Sequence, residues 1–183
     1  MSTDSSPRKL KLDVMAQEAG ENAGLADVSA LPRLRSDLDL SGPPVQPVAW
    51  QALAQWRERA GGEPELWLHL RAKAELPLTC QRCMTPVVQA LTVDRWFRFV
   101  ESEEVAQAED DDCEEDLLVF EPQFDLLHLL EDELLMELPL VPMHETCPDL
   151  PAVAKRAQVL EATDQGDRPH PFAVLASLKG KGR

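Results

Sequence analysis

Two cysteines separated by two residues, Cys80-Gln81-Arg82-Cys83, are the side chains here whose types and spacing most plainly can do chemistry. A tight turn within Cys-x-x-Cys brings two thiolates to one metal, and a zinc shell then needs two further ligands. His144 and Cys147 have the matching spacing, so Cys80, Cys83, His144 and Cys147 form a candidate Cys3His zinc site. Two other readings of these residues stay open. One is a reactive dithiol, but such a pair gains its low thiol pKa at the N-terminus of a helix. Here Pro86 and a strand pattern follow, and only Arg82 is at hand to favour the thiolate. In the other, both pairs are ordinary residues or remnants of a lost site. Cys113 lies apart from both pairs and reads as a bystander.

Other chemistry finds little support. The four histidines are scattered, and neither His69 nor His128 has a nucleophile or carboxylate at a spacing that suggests a triad. There is no glycine-rich phosphate loop, and the carboxylates of 101–116 are too many to define one acid–base pair. The chain is therefore not expected to be an enzyme, and no small-molecule substrate is expected.

The elements that must position the cysteines are strands. Leu66, Leu68, Leu70, Ala72, Ala74, Leu76 and Leu78 alternate with Trp67, His69, Arg71, Lys73 and Glu75. After the cysteines, Val87, Leu91, Val93, Phe97 and Phe99 alternate with Val88, Thr92, Asp94 and Arg98. Period two over such a length predicts a half-buried β-hairpin with the thiols at its turn. A strand is also expected from Val48 to Trp56, leading through the turn Gly61-Gly62-Glu63-Pro64. Leu117–Phe120 reads as a short strand, and Asp125 as the cap of a helix to about Leu138, stopped by Pro139 and Pro142. On that helix Leu127, Leu130, Leu134 and Leu138 form the apolar stripe, with Glu131 to Glu133 on the polar side.

The expected fold is α+β: an antiparallel β-sheet of three to five strands covered by one main helix, with flexible N- and C-terminal segments. Residues 1–44 form the N-terminal segment, partly disordered, with short helices at Leu12–Ala19 and Leu31–Leu38. Residues 45–147 form the core, and 148–183 a linker with a short C-terminal helix and a basic end. Between Glu101 and Asp116 lie ten acidic residues and no basic one, which reads as an exposed, mobile loop.

The 183 residues are enough for one domain with a real core. A net charge of −15 works against broad electrostatic binding of nucleic acid and favours basic proteins as direct partners. The polar start, Met1–Lys11, lacks the apolar core of a signal peptide, and no apolar run approaches the ~20 residues that span a bilayer. A cytoplasmic protein without membrane contact is expected, a setting in which cysteines read as ligands or thiols before disulfides.

Three stretches together resemble one family. Leu78-Thr79-Cys80-Gln81-Arg82-Cys83, the run from Asp125 to His144, and Pro169–Lys179 are similar to the YceD proteins of proteobacteria, the large ribosomal RNA subunit accumulation proteins. The resemblance extends from about Lys9 to Lys179 and is sharpest in those blocks. It implies a non-catalytic ribosome biogenesis factor required for accumulation of 23S rRNA through its synthesis, processing or stability. Implied partners are large-subunit assembly components, with rRNA engaged directly or through a basic ribosomal protein. Many relatives outside this branch carry a second cysteine pair near Met143–Asp149, where this sequence has only His144 and Cys147. Two alternatives compete: an acidic binding module that shields a basic ribosomal protein, and a metal-dependent or redox enzyme.

Phe172, Leu175 and Leu178 fall at helical spacing beyond a polar linker, in a chain whose core can close near Cys147. They are the candidate partner-binding residues, since burial of each contributes ~1.5–3 kcal/mol in a groove. Truncation after Gly166 should leave the melting temperature nearly unchanged while abolishing association with the assembling large subunit. A large drop in melting temperature would mean that the block packs on its own domain.

Overall fold

Strict alternation makes the centre of this protein a long antiparallel ribbon. The structure, a computed structural model, describes residues 6–148 except 19, 60, 111 and 112. Its central hairpin pairs β3 (Glu65–Thr79) with β4 (Pro86–Val100) from Leu66↔Phe99 to Thr79↔Pro86 without a break in register. At ~3.3 Å per residue each fifteen-residue strand is about 50 Å long. β2 (Val48–Arg57) pairs antiparallel with β3, and β1 (Glu21–Ala26) with β2. β5 (Asp116–Val119) completes the order β1-β2-β3-β4-β5.

The sequence reading and the structure part company at three places. β1 lies inside the segment expected to hold only short helices. Its sequence, Glu-Asn-Ala-Gly-Leu-Ala, has no β-branched or aromatic residue to announce a strand. Pairing with β2 supplies what propensity lacks, and Gly24 permits it: a Cβ there would sit 2.8 Å from the Trp50 ring. Secondly, β5 runs parallel to β4, so the sheet is mixed. A parallel neighbour needs a crossover, and the acidic run provides one. Part of that run is helix α3 (Glu103–Glu109), correcting the expectation of a loop through 101–116. Ser102 caps it by accepting from the Val105 amide, and Glu103 and Glu104 in its first turn suit the helix dipole.

One face of the sheet carries the core. Leu68, Leu70, Leu76 and Phe97 are buried there with Leu12 of α1 (Leu12–Gln17), Leu34 of α2 (Pro32–Ser36), and Leu126, Leu130 and Leu134 of α4 (Leu126–Met136). Asp125 caps α4 as expected, accepting from the His128 amide at 3.0 Å. The main helix α4 packs on this face beside the shorter α1, and α2 packs on α4. Among the described residues no helix is long and apolar enough to cross a membrane.

The third difference concerns the acidic side of α4. Glu131 and Glu133 were expected to face solvent but are buried. Glu131 Oε1 accepts from the backbone amides of Arg33 (2.7 Å) and Leu34 (3.1 Å), and Oε2 from Arg33 Nε (3.0 Å). A carboxylate on α4 thus satisfies the open amides at the start of α2, a role no local pattern reveals. Glu133 has less help. Burial raises its pKa above the ordinary glutamate value, and Arg95 Nε at 3.7 Å only partly opposes this.

Opposite outcomes follow for these neighbours. Glu131→Ala should cost about 2 kcal/mol in denaturant unfolding by stripping two amides of their acceptor. Glu133→Gln should raise the melting temperature near neutral pH, where the buried carboxylate is charged at a cost. Because its folded-state pKa is raised, that gain should vanish below the ordinary glutamate range, where folded and unfolded chains are both protonated.

Candidate metal centre

The turn joining β3 to β4 is built to present thiols. The Cys80 amide donates to the Thr85 carbonyl at 3.0 Å and the Met84 amide to the Cys80 carbonyl at 2.8 Å. The loop closes through Met84 in the left-handed region, φ 58°. A side chain there costs about 1–2 kcal/mol relative to glycine, so the surrounding turn must impose it. The chain after α4 is then laid against this turn. Gln81 N–H donates to the Pro142 carbonyl at 2.9 Å, and Arg82 Nη2 to the His144 carbonyl at 2.8 Å. Pro139 and Pro142, read from the sequence as helix stops, also stiffen this return strap.

The strap carries His144 to the cysteines. Its Nδ1 lies 3.4 Å from Cys83 Sγ, and its Nε2 lies 3.1 Å from the Pro86 carbonyl oxygen. A carbonyl only accepts, so Nε2 donates to it and Nδ1 is the nitrogen that faces the thiols, protonated while it stabilises the Cys80 thiolate and open to a metal once that proton leaves. Metal-ligating histidines are commonly oriented by such a bond on the other ring nitrogen. One donor atom from each of Cys80, Cys83, His144 and Cys147 lies within 4.8 Å of all the others. A tetrahedral zinc with Zn–S ~2.3 Å and Zn–N ~2.0 Å has donor atoms about 3.5–3.8 Å apart. The four residues fit such a shell after a contraction of about 1 Å.

The local electrostatics point the same way. Burial opposes the Cys80 thiolate, but amides of Cys83, His144 and Arg82 and the His144 side chain stabilise it, holding its pKa down to about 5. The His144 pKa is raised, chiefly by its hydrogen bond to Cys80 and against the effect of burial. A thiolate at neutral pH is what a soft divalent metal needs.

The other sequence candidates lie elsewhere. Cys113 Sγ contacts the Asp110 and Glu115 carbonyls and is outside the cluster. His69 Nε2 pairs with Asp94 Oδ1, and His128 Nδ1 with Asp132 Oδ2 one helical turn on. Phe172, Leu175 and Leu178 lie outside the described residues, as do most of the linker and the expected C-terminal helix. Sequence reasoning missed Pro86, whose carbonyl fixes His144, and Arg82, whose guanidinium holds the strap. A backbone carbonyl leaves no mark in a sequence. In the sequence Arg82 stands out only by its charge.

Fold and site together define a mixed-sheet α+β protein that carries a thiol–imidazole cluster at the tip of its longest hairpin. Residues 68–179 match the family model of the large ribosomal RNA subunit accumulation protein YceD, and the chain belongs to that family. A Haemophilus influenzae protein named large ribosomal RNA subunit accumulation protein YceD is 34% identical over 132 residues, which cover 65% of this chain and 70% of the relative. No solved structure matches.

Protein prepared without chelator should contain about one zinc per chain, and stripping the metal should lower its melting temperature. Cys80→Ser should abolish the metal, whereas Cys113→Ser should change neither metal content nor stability. Metal-free protein under those conditions would rule the site out.

Proposed function

We propose that the protein is a non-catalytic factor of ribosome biogenesis that sustains accumulation of 23S rRNA in the cytoplasm. The observation that carries this reading is membership of the YceD family over a stretch that includes the hairpin, its cysteines and the return strap. In this reading Cys80, Cys83, His144 and Cys147 hold zinc. The metal supplies a structural cross-link, tying the hairpin tip to the chain that leaves α4. Arg82, Gln81 and the Pro86 carbonyl set the strap and the imidazole in place for it. The site then presents a fixed surface to an assembly partner and performs no reaction of its own.

A second reading is favoured by the exposed carboxylates around α3. Glu101, Glu103, Glu104, Asp110 and Glu114 are exposed, beside a chain total of −15. Such a surface suits an acidic module that shields a basic ribosomal protein before its incorporation. Pull-down with and without nuclease separates the two: partners that survive nuclease touch the protein directly, and those lost are bridged by RNA.

Loss of the protein should lower 23S rRNA relative to 16S rRNA and diminish the 50S peak on sucrose gradients. An unchanged ratio under several growth conditions would contradict the proposal. Cys80→Ser/Cys83→Ser, expressed at equal level, should fail to restore the ratio if the cluster serves function beyond stability.

A further inference from the structure

The face of the sheet opposite α1 and α4 carries a constellation that the metal centre does not use. Trp67, His69, Arg71 and Lys73 follow one another on that face of β3, about 6.7 Å apart by strand geometry. Opposite them on β4 stand Trp96, across from His69, and Asp94, across from Arg71. The His69 ring stacks on Trp96 at 4.1 Å and 8°, and Trp67 meets Trp96 edge to face at 6.4 Å. Arg57 lays its guanidinium 3.9 Å from the Trp96 centroid and 4.2 Å from that of Trp67. Four planar side chains are thereby fixed side by side, with Trp67 buried, His69 largely covered, and Trp96 and Arg57 half-exposed.

A groove of about 450 Å³ runs beside this stack. Its floor is kept low by Ala23 and Ala49, and Arg71, Lys73 and Thr92 stand along it. Arg71 and Lys73 are exposed, and among the described residues neither lies within ion-pair distance of a carboxylate. Elsewhere on the sheet the opposite rule holds, with Arg95 on Asp116 and Arg98 on Glu65 and Glu109. Asp94 also lines the groove but is taken up by His69 at 2.5 Å. Glu21 starts the edge strand, and Glu75 lies further toward the hairpin tip.

We propose that this face is a binding surface for single-stranded RNA. Phosphates lie along the groove at Arg71 and Lys73, and one or two bases rest against the Arg57–Trp96–His69 stack. Cations alone suit an acidic peptide equally well. Planar groups set beside them favour nucleotides, because every base has a π-face to stack and a carboxylate has none. The net charge of −15 confines attraction to this one face, so binding is modest and weakly salt-dependent. The choice of RNA over DNA rests on the proposed role in rRNA accumulation.

The test is fluorescence anisotropy with a labelled oligouridylate of about twelve nucleotides, long enough for one such face. With two phosphates held by Arg71 and Lys73, the slope of log affinity against log salt should be about −1.4. Arg71→Gln/Lys73→Gln should weaken binding tenfold or more and flatten that slope by about 1.4, leaving zinc content and melting temperature unchanged. Trp96→Ala should weaken binding and leave the slope alone, which separates stacking from charge. Absence of binding, or affinity indifferent to the double substitution, overturns the proposal. So does equal or tighter binding of an oligoglutamate peptide, which would assign the face to an acidic protein. A 23S deficit in cells that accompanies no RNA binding by the purified protein would sink this surface while leaving the proposed function in place.

Discussion

The register between β3 and β4 is the constraint on which the rest of the structure depends. Side chains alternate with period two, so a slip of one residue would turn Leu68, Leu70, Leu76 and Phe97 out to solvent. The same slip would bring Trp67, His69 and Arg71 into the core. Burial penalises this heavily at the helix-covered end, where α1, α2 and α4 pack. At the far end the ribbon runs on to Thr79↔Pro86, and there the turn must hold the pairing itself. The cysteine turn is that hold, and Met84 at φ 58° shows how tightly its backbone is specified.

Seen from that constraint, the cluster and the strap are one device. A hairpin tip carried on a long ribbon is prone to fray, because loop ends bury little apolar surface. Here the chain returns from α4 through two prolines and bonds across the tip at Pro142 and His144. A cross-link at this point joins β3, β4 and the exit of α4 at once. A metal held there would couple its binding to fold stability through topology.

Much of this was legible in the sequence, for reasons that can be named. The hairpin was readable because Leu66–Leu78 and Val87–Phe99 alternate so regularly, and α4 because Asp125 and Pro139 bracket a leucine stripe. The pairing of Cys80-x-x-Cys83 with His144-x-x-Cys147 was readable from spacing and side-chain type. Illegible were features whose cause lies in another part of the chain. β1 exists because β2 needs a neighbour and Gly24 fits against Trp50. The burial of Glu131 depends on amides some hundred residues earlier. The direction of β5 depends on a helix hidden in an acidic run that looked like a loop. The Trp67–His69–Trp96–Arg57 stack was seen only as the polar side of alternating strands, because cross-strand neighbours are set by register and not by proximity in sequence.

The central claim is that a metal held by the cysteine turn and the strap locks the end of this ribbon. Amide hydrogen exchange with and without chelator tests it most directly. Removing the metal should first expose the amides of Cys80, Gln81 and Met84, whose acceptors are Thr85, Pro142 and Cys80, and then the adjoining end of the β3–β4 ladder. The amides of α4 should stay protected throughout. Identical protection of the tip with and without chelator would contradict the account.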